Sequence, residues 1–500
     1  MSFLAPEEIS KKAHELYEQY IPKIDEIKVK ERIRIPVQEM PAQDPHVRCR
    51  NLEEVAIGYT AEEAQIEALR CIQCPTQNCV SDCPVNINVP LFIEHTAHGR
   101  FQDAINVIKE ASLLPAICGR VCPQETQCQL NCSVGKVFKT VDKSVSIGRL
   151  ERFVADLERE KGNVQIPEVK PETGKKVAVV GSGPAGLVVA ADVRREGHHV
   201  TIFEAFHKLG GVMRYGIPEF RLPNEIVDEE IDTLRKMGVE IRTNFVVGKT
   251  RKLTDLLEKD GYDAAFVGTG AGLPIFMGIE GENLIGVFSA NEFLTRVNLM
   301  RAFDKKHADT PIYNSKVVAV LGGGNVAMDS ARMALRLGAE KVYVVYRRTE
   351  KEMPARTEEV QHAKEEGVEF LFLQNAKRIL GDEKSRVIGI ECLRYELGEP
   401  DASGRRRPIA IPGSEFVIDL DTVIVAIGNS SNPLISSTTP QIKTNKWGNI
   451  IADENQKTSM DRVFAGGDIV LGAATVILAM GEGRKAAKAI NELLAKELTN

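Results

Sequence analysis

The chain has 500 residues, more than one ordinary core can bury, so two or three domains are expected. Apolar residues make up 43%, charged residues 27%, and the net charge is −6 at pH 7. There is no basic stripe for nucleic acid, no apolar run of membrane-span length, and no charged start leading into an apolar core as in a secretory signal, so a cytoplasmic protein is expected.

Residues 1–60 are mixed in charge, with helical stretches broken at Pro22, Pro36, Pro41 and Pro45. They read as an arm that lies on the protein's own body or wraps a partner. Between 61 and 160, helical patterns such as "PLFIEHTAHGRFQDAINVIKEAS" and "SIGRLERFVADLERE" alternate with cysteines. Eight of the ten cysteines fall between 71 and 132, and in a reducing compartment such density points to metal rather than disulfides. After a polar linker, β-branched runs alternate with Ala- and Arg-rich helical runs from 177 onward, the pattern of parallel sheets with crossover helices.

The first such unit is "KKVAVVGSGPAGLVVAADVRREGHHVTIFEA". A buried-strand pattern enters Gly181, Gly183 and Gly186, where glycines allow a tight turn, close approach to a pyrophosphate, and helix–strand packing. Pro184 and Ala185 open the helix, whose N-terminus faces the phosphates. Glu204 ends the second strand, at the interval expected of a carboxylate on a ribose diol. The second unit, "KVVAVLGGGNVAMDSARMALRLGAEKVYVVYRRTE", carries Gly322, Gly323, Gly324, Asn325, Val326 and Ala327 in the G-x-G-x-x-A form. Arg347 and Arg348 stand where the first unit has Glu204, and arginine there suits a 2′-phosphate, so NADP(H) is expected. Near the C-terminus, "DRVFAGGDIVLGAATVILAMGEGRKAAKAI" fits a flavin role: Gly467 ends a strand, Asp468 is placed for a ribityl hydroxyl, and a helix begins near Ala474 and Thr475.

The cysteines run Cys71-x2-Cys74-x4-Cys79-x3-Cys83-Pro84, then Cys118-x3-Cys122-Pro123, Cys128 and Cys132. Only one C-x2-C pair exists, whereas zinc ribbons usually use two. Short, uneven spacing with Cys-Pro endings points to iron–sulfur ligation, in which three close cysteines hold one cluster and the fourth crosses to another. Cys71, Cys74 and Cys79 therefore form one group, and Cys83 leaves for a second. Cys49 and Cys392 read as ordinary thiols.

GSGPAG, GGGNVAMD and AGGD, in this order, resemble the two-dinucleotide-domain flavoproteins, and "HKLGGVMRYGIPEFRLP" resembles a flavin-contacting segment of one branch. That branch holds the small subunit of glutamate synthase, the large subunit of NADH-dependent ferredoxin–NADP oxidoreductase, and the N-terminal half of dihydropyrimidine dehydrogenase. The likeness runs from about residue 48 to the end. It implies an α/β fold: a helical iron–sulfur domain with its arm (1–165), an FAD domain in two parts (175–310 and 431–500), and an NADPH domain inserted at 311–430. It assigns Gly210, Gly211 and Arg221 to FAD beside the residues above, and Gly428 to NADPH. It also implies the cluster partners: Cys132 completes the first set, and Cys83, Cys122 and Cys128 hold a second [4Fe–4S] cluster with Glu151, from the stretch "IGRLE", as its fourth ligand. Cys118, one helical turn before Cys122, is the rival for that place.

The activity implied is hydride exchange between NADP(H) and FAD with single electrons relayed through two clusters, and no catalytic side chain is required. Three stretches, "PAICGRVCPQETQC", "GAGLPIFMGIEGENLIGVFSANEFLTRVNLM" and "GAATVILAMGEGRKAA", are most similar to the transhydrogenase group, which implies electron bifurcation with a smaller flavoprotein subunit and ferredoxin as partners. The alternatives are the electron-input subunit of glutamate synthase, bound to a large subunit, and a relay or assembly subunit without turnover. A hetero-oligomer is expected in each case.

Overall fold

A computed structural model describes residues 3–304, 306–308, 310–401 and 404–499. The N-terminal third is helical. Its main elements are α1 (Pro6–Tyr20), α2 (Ala61–Leu69), α3 (Val89–Ala97), α4 (Phe101–Ala111), α5 (Pro115–Val121), α6 (Ser133–Phe138) and α7 (Ile147–Glu160). Helix α2 starts in a capping box: the Glu63 amide donates to Thr60 Oγ1 at 3.3 Å, and the Thr60 amide donates to the Glu63 carboxylate at 2.7 Å. The expected single helix over 90–112 is two, broken at Gly99, whose φ of +72° ends α3.

The arm lies on the protein's own body. Ile9 and Ala13 of α1 are buried, as are Ile27, Ile35 and Gln38 beyond it. A buried pair, Glu67 and Arg70, ties three segments together. The Glu67 carboxylate accepts from the amides of Gln38 and Ser146, both at 2.8 Å, while Arg70 donates to the carbonyls of Ile35, Lys143 and Ser144. Each carboxylate oxygen and guanidinium nitrogen so used offsets the cost of burying that charge. The result fixes where α7 begins, and with it the position of Glu151.

Two parallel sheets follow. The first is built from β1 (Lys176–Val180), α8 (Pro184–Arg195), β2 (His199–Phe203), β3 (Glu240–Arg242) and β4 (Ala264–Val267). The second begins with β5 (Val287–Ser289) and β6 (Val317–Leu321), then α9 (Asn325–Arg336), β7 (Lys341–Tyr346), α10 (Thr357–Glu365) and β8 (Glu369–Phe372). An antiparallel set, β9 (Gln374–Gly381), β10 (Val387–Pro400), β11 (Arg406–Ala410) and β12 (Phe416–Asp419), precedes β13 (Thr422–Val425). The chain then returns through β14 (Val463–Ala465) to α11 (Val476–Thr499).

The first sheet has the order β14-β4-β1-β2-β3 and the second β5-β13-β6-β7-β8, all parallel. The C-terminal strand thus completes the first sheet after an inserted second one. That sheet draws its edge strand, and core residues such as Phe293 and Val297, from before 311, so the crossover comes earlier than the expected boundary. Among the described residues, no helix is long and apolar enough to cross a membrane.

Candidate redox site

At the first nucleotide loop, Gly181 has φ of +100°, and a Cβ there would lie 2.5 Å from the Gly268 carbonyl oxygen. Gly186 packs against the loop itself, since its Cβ would lie 2.0 Å from the Gly181 oxygen. A Cβ at Gly183, the N-cap of α8, would meet nothing within 4 Å. Two glycines are therefore needed for packing and one fronts open space at a helix N-terminus, the arrangement a pyrophosphate requires. Gly211 closes the other side, with its added Cβ 2.9 Å from the Gly183 Cα, and the Gly210 amide donates to Ser182 Oγ at 3.1 Å. The Glu204 carboxylate braces the loop by accepting from the Ser182 amide at 3.0 Å, Ser182 Oγ at 2.5 Å and the Phe206 amide at 2.8 Å. A carboxylate has about four lone-pair sites, so with three in use capacity for one ribose hydroxyl remains on Oε1.

Asp468 follows Gly467, whose φ is +78°, and accepts from the Ala474 amide at 3.2 Å. Burial pushes its carboxyl up to about 6. Thr475 caps α11 by accepting from the Leu478 amide at 3.3 Å. Tyr215 was not singled out by the sequence pattern. It feels both Asp468 and Glu204, and burial with those two charges pushes its phenol up to about 12. The fields of three segments distant in sequence therefore converge on one site.

Arg221, at the end of the flavin-contacting stretch, is engaged by the inserted domain: Nη1 donates to both oxygens of Asp329 on α9 at 2.8 Å, and Nε lies 3.3 Å from Glu359 on α10. A guanidinium 8% exposed needs carboxylates, and the inserted domain supplies them. The knot extends to Arg332, which pairs with Glu359 and Glu366, and to Arg48 of the arm, which pairs with Glu365 and Glu366. The side chain of Phe220 lies under the guanidiniums of Arg332 and Arg336, 4.6 and 3.9 Å from the ring centre. The knot joins the arm, the flavin segment and the second sheet.

At the second loop, Gly322 has φ of +144°, and its Cβ would lie 2.2 Å from the Ala426 oxygen. A Cβ at Gly324, the N-cap of α9, would meet only Pro354, at 3.9 Å, so this loop also fronts open space. Asn325 Oδ1 accepts from the Arg356 amide at 2.9 Å, and Gly428 stands just beyond the carboxyl end of β13. The two arginines after β7 part company. Arg347 is exposed, whereas Arg348 is buried, donating to the Arg406 carbonyl at 2.7 Å and pairing with Asp401 at 2.8 Å. Successive residues at a strand end face opposite ways, and Arg348 faces the antiparallel set.

The eight expected cluster donors lie in two neighbourhoods, the second of which also holds Cys118. Cys71, Cys74, Cys79 and Cys132 line one cavity, beside Asn131, Ser133 and Val145. Gln73 and Gln77 hold its loop in left-handed conformations, with φ of +51° and +42°. Burial pushes the Cys71 thiol up to about 12 and that of Cys79 up to about 11, the other thiols of the set adding to both. In the second group, Cys83 and Cys122 are buried, and Cys128 feels Cys122, Cys83 and Glu151, and lastly Cys79 of the other group. Glu151 is 6% exposed, its Oε1 has no partner, and burial alone pushes its carboxyl up to about 8. A buried carboxylate oxygen without a partner is costly unless something binds it, and among soft thiolates that fits a metal centre. Cys118 is fully buried one helical turn before Cys122, and its Sγ lies 3.5 Å from Met480 Sδ. Among the described residues no three His, Cys, Asp or Glu side chains converge on a single-ion site; the thiols of the first group instead surround a space.

The inner group rests on the flavin helix. Met480 of α11 touches Cys118, and a Cβ at Gly481 would lie 2.9 Å from the oxygen of Pro84, next to Cys83. Gln127, beside Cys128, reaches to 3.5 Å from Thr475 Oγ1 at the start of the same helix. These contacts escaped the sequence reading because they join residues some 350 positions apart by plain side chains with no motif.

Comparison with known proteins agrees with this layout. Residues 48–163 match the family described as dihydropyrimidine dehydrogenase domain II, 4Fe-4S cluster, and residues 175–490 match pyridine nucleotide-disulphide oxidoreductases. The chain is 39% identical to the NADP(+)-dependent formate dehydrogenase subunit beta of Moorella thermoacetica, over 85% of this chain but only 61% of that one. It is 36% identical to the glutamate synthase [NADPH] small chain of Azospirillum brasilense, over 91% of this chain and 94% of that one. Among solved structures, Mycobacterium tuberculosis FprA in complex with NADPH aligns with a TM-score of 0.55 at 21% identity, covering 65% of this chain and 86% of that one, which bears on the fold alone. The chain therefore belongs to the pyridine nucleotide-disulphide oxidoreductase family, in its glutamate synthase small-chain-like group: an FAD- and NADP(H)-binding oxidoreductase with an N-terminal 4Fe-4S domain.

Proposed function

We propose that the chain is the NADPH-linked electron-input subunit of a larger redox assembly, with two [4Fe–4S] clusters between its flavin site and its partner. The observation that carries this reading is the seating of the inner donor group on α11, the helix that also begins the C-terminal part of the flavin site. Bound FAD would supply the change from hydride to single-electron chemistry, and the clusters would carry the single electrons. The chain's residues bind and orient. The backbone at Gly181–Gly186 holds a pyrophosphate with Pro184 and Ala185 at the helix start, Asp468 accepts from a ribityl hydroxyl, and the N-terminus of α11 at Ala474 and Thr475 favours negative charge on the ring. Cys71, Cys74, Cys79 and Cys132 hold one cluster; Cys83, Cys122, Cys128 and Glu151 hold the other.

On the NADPH side, Gly322–Ala327 cradle the phosphates and Arg347 meets the 2′-phosphate. A hydrogen bond to such a charge is worth roughly 1.5–3 kcal/mol, so Arg347→Ala should weaken NADPH by roughly 10–100-fold and leave NADH unchanged. Equal losses for both nucleotides would contradict the assignment.

The partner we infer is a smaller flavoprotein together with ferredoxin, in a bifurcating transhydrogenase; this rests on the three sequence stretches that resemble that group. A second reading, the small chain of a glutamate synthase with a large synthase partner, is favoured by a specific observation: the chain spans 94% and 97% of two such small chains. A subunit without turnover is disfavoured by two intact nucleotide loops. Purification from the native host separates the readings. A small flavoprotein in the complex supports the transhydrogenase, a very large synthase subunit supports the second reading, and failure of NADPH to reduce an artificial dye leaves only the third.

A further inference from the structure

The outer donor group opens towards a face that carries both lysines and exposed apolar side chains. Asn131, Cys132, Ser133 and Val134 line its cavity, and the chain then runs outward along α6. Leu130, Val137 and Phe138 stand there 53%, 58% and 46% exposed. Beside them, Lys136, Lys139 and Lys143 are exposed, and among the described residues none of the three is in an ion pair, whereas Lys170 pairs with Glu196, Lys364 with Glu350 and Lys377 with Glu415. The same cavity is met from the arm, where Arg32 Nη1 donates to the Cys71 carbonyl at 3.3 Å. Two carboxylates stand nearby, Asp82, which accepts from Asn131 at 2.9 Å, and Asp142, which accepts from Thr140 at 3.2 Å; both keep their charge, and Arg32 with the three lysines outnumbers them.

A basic, apolar-centred face on a chain of net charge −6 is a local inversion of charge. Such a patch orients an acidic protein over roughly a Debye length, about 10 Å at 0.1 M salt, and its exposed apolar centre supplies the contact that excludes water. Its position at the mouth of the outer cysteine cavity says what would be gained by docking there. We propose that this face is the docking surface for an acidic protein that accepts one electron at a time, and the proposal rests on the electron-relay reading above. The balance is simple: each NADPH becomes NADP+ and one proton and releases two electrons; in the bifurcating reading one reduces a carrier molecule at this face and the other passes to the smaller flavoprotein, so no other reductant is needed.

The test uses the full-length, cluster-loaded protein and two variants, Lys136→Glu/Lys139→Glu/Lys143→Glu and Phe138→Ser. Three acceptors are compared under NADPH: benzyl viologen, an acidic bacterial-type ferredoxin, and basic cytochrome c. Calorimetric affinity for the ferredoxin is measured at low and high salt. The triple variant should lose roughly tenfold or more in ferredoxin affinity and reduction rate, and its salt dependence should flatten. Viologen reduction and iron content should not change, and cytochrome c reduction should hold or rise. Phe138→Ser should weaken ferredoxin binding without altering the salt slope. Unchanged ferredoxin affinity in both variants would overturn the proposal. So would equal losses with viologen, or a face that mediates self-association or binding to anionic phospholipid vesicles while ferredoxin binding is untouched. Wild-type protein that cannot reduce viologen with NADPH would instead overturn the underlying reading, and this one with it.

Discussion

The two donor groups differ in what surrounds them. Cys71, Cys74, Cys79 and Cys132 are half-buried around a cavity near the surface, in a loop held by two left-handed glutamines. Cys83 and Cys122 are buried, their neighbours Pro84 and Cys118 meet α11, and the carboxyl proposed as their fourth partner comes from the helix that Glu67 and Arg70 anchor. One group is open towards solvent and made of thiols alone; the other is closed, mixed in donor type and seated on the flavin helix. On the proposed electron-relay reading, the difference gives the chain a direction, with an inner end facing the two-electron chemistry and an outer end facing a partner.

The largest effect should come from removing an inner thiol. Cys122→Ser should cut NADPH-driven reduction of a protein carrier by more than the roughly 10–100-fold typical of lost outer-shell metal support, while stopped-flow reduction of bound FAD by NADPH is unchanged. Cys74→Ser should block the carrier as well but leave the inner group's EPR signal intact; loss of both signals would merge the two groups into one site. Next, Glu151→Ala should perturb one cluster's EPR signal, and Cys118→Ala should leave both signals in place. The opposite result would transfer the ligand role to Cys118 and make the inner group all-thiolate. A smaller effect separates the groups by exposure: chelator should strip iron in two phases, with the outer group's signal lost first. A single phase would remove the contrast. The smallest change should follow Gln127→Leu, which breaks the side-chain contact between the inner group and Thr475. Carrier reduction should slow slightly with iron content unaltered, and a loss of iron would show Gln127 to be structural support instead.

The sequence was most legible where chemistry forces spacing. Gly181, Gly183 and Gly322 could be placed because backbone packing and phosphate approach leave no other residue type, and the cysteine sets divided three and one because a proline follows Cys83. Parallel sheets with crossover helices followed from alternating strand and helix patterns, whereas the inserted second domain was implied only by the resemblance to two-dinucleotide-domain flavoproteins, and strand order had no local signal. Arginine was least legible. Arg221, Arg347 and Arg348 look alike in sequence, yet two are buried in ion pairs and one is exposed. A guanidinium's role is set by which carboxylates the fold brings near, here Asp329 and Asp401, and those lie 108 and 53 residues away. The arm's place on the body was equally hidden, since Arg48 finds Glu365 and Glu366 more than 300 residues on.

The central claim is that two four-iron centres stand in line from the flavin site to the outer face. Iron, sulfide and flavin analysis of the anaerobically purified protein, with EPR after NADPH reduction, tests it most directly. The account predicts about eight irons and eight sulfides per FAD and two distinguishable cluster signals, with Glu151→Ala altering only one of them. Zinc in place of iron, or about four irons with a single signal, would contradict it.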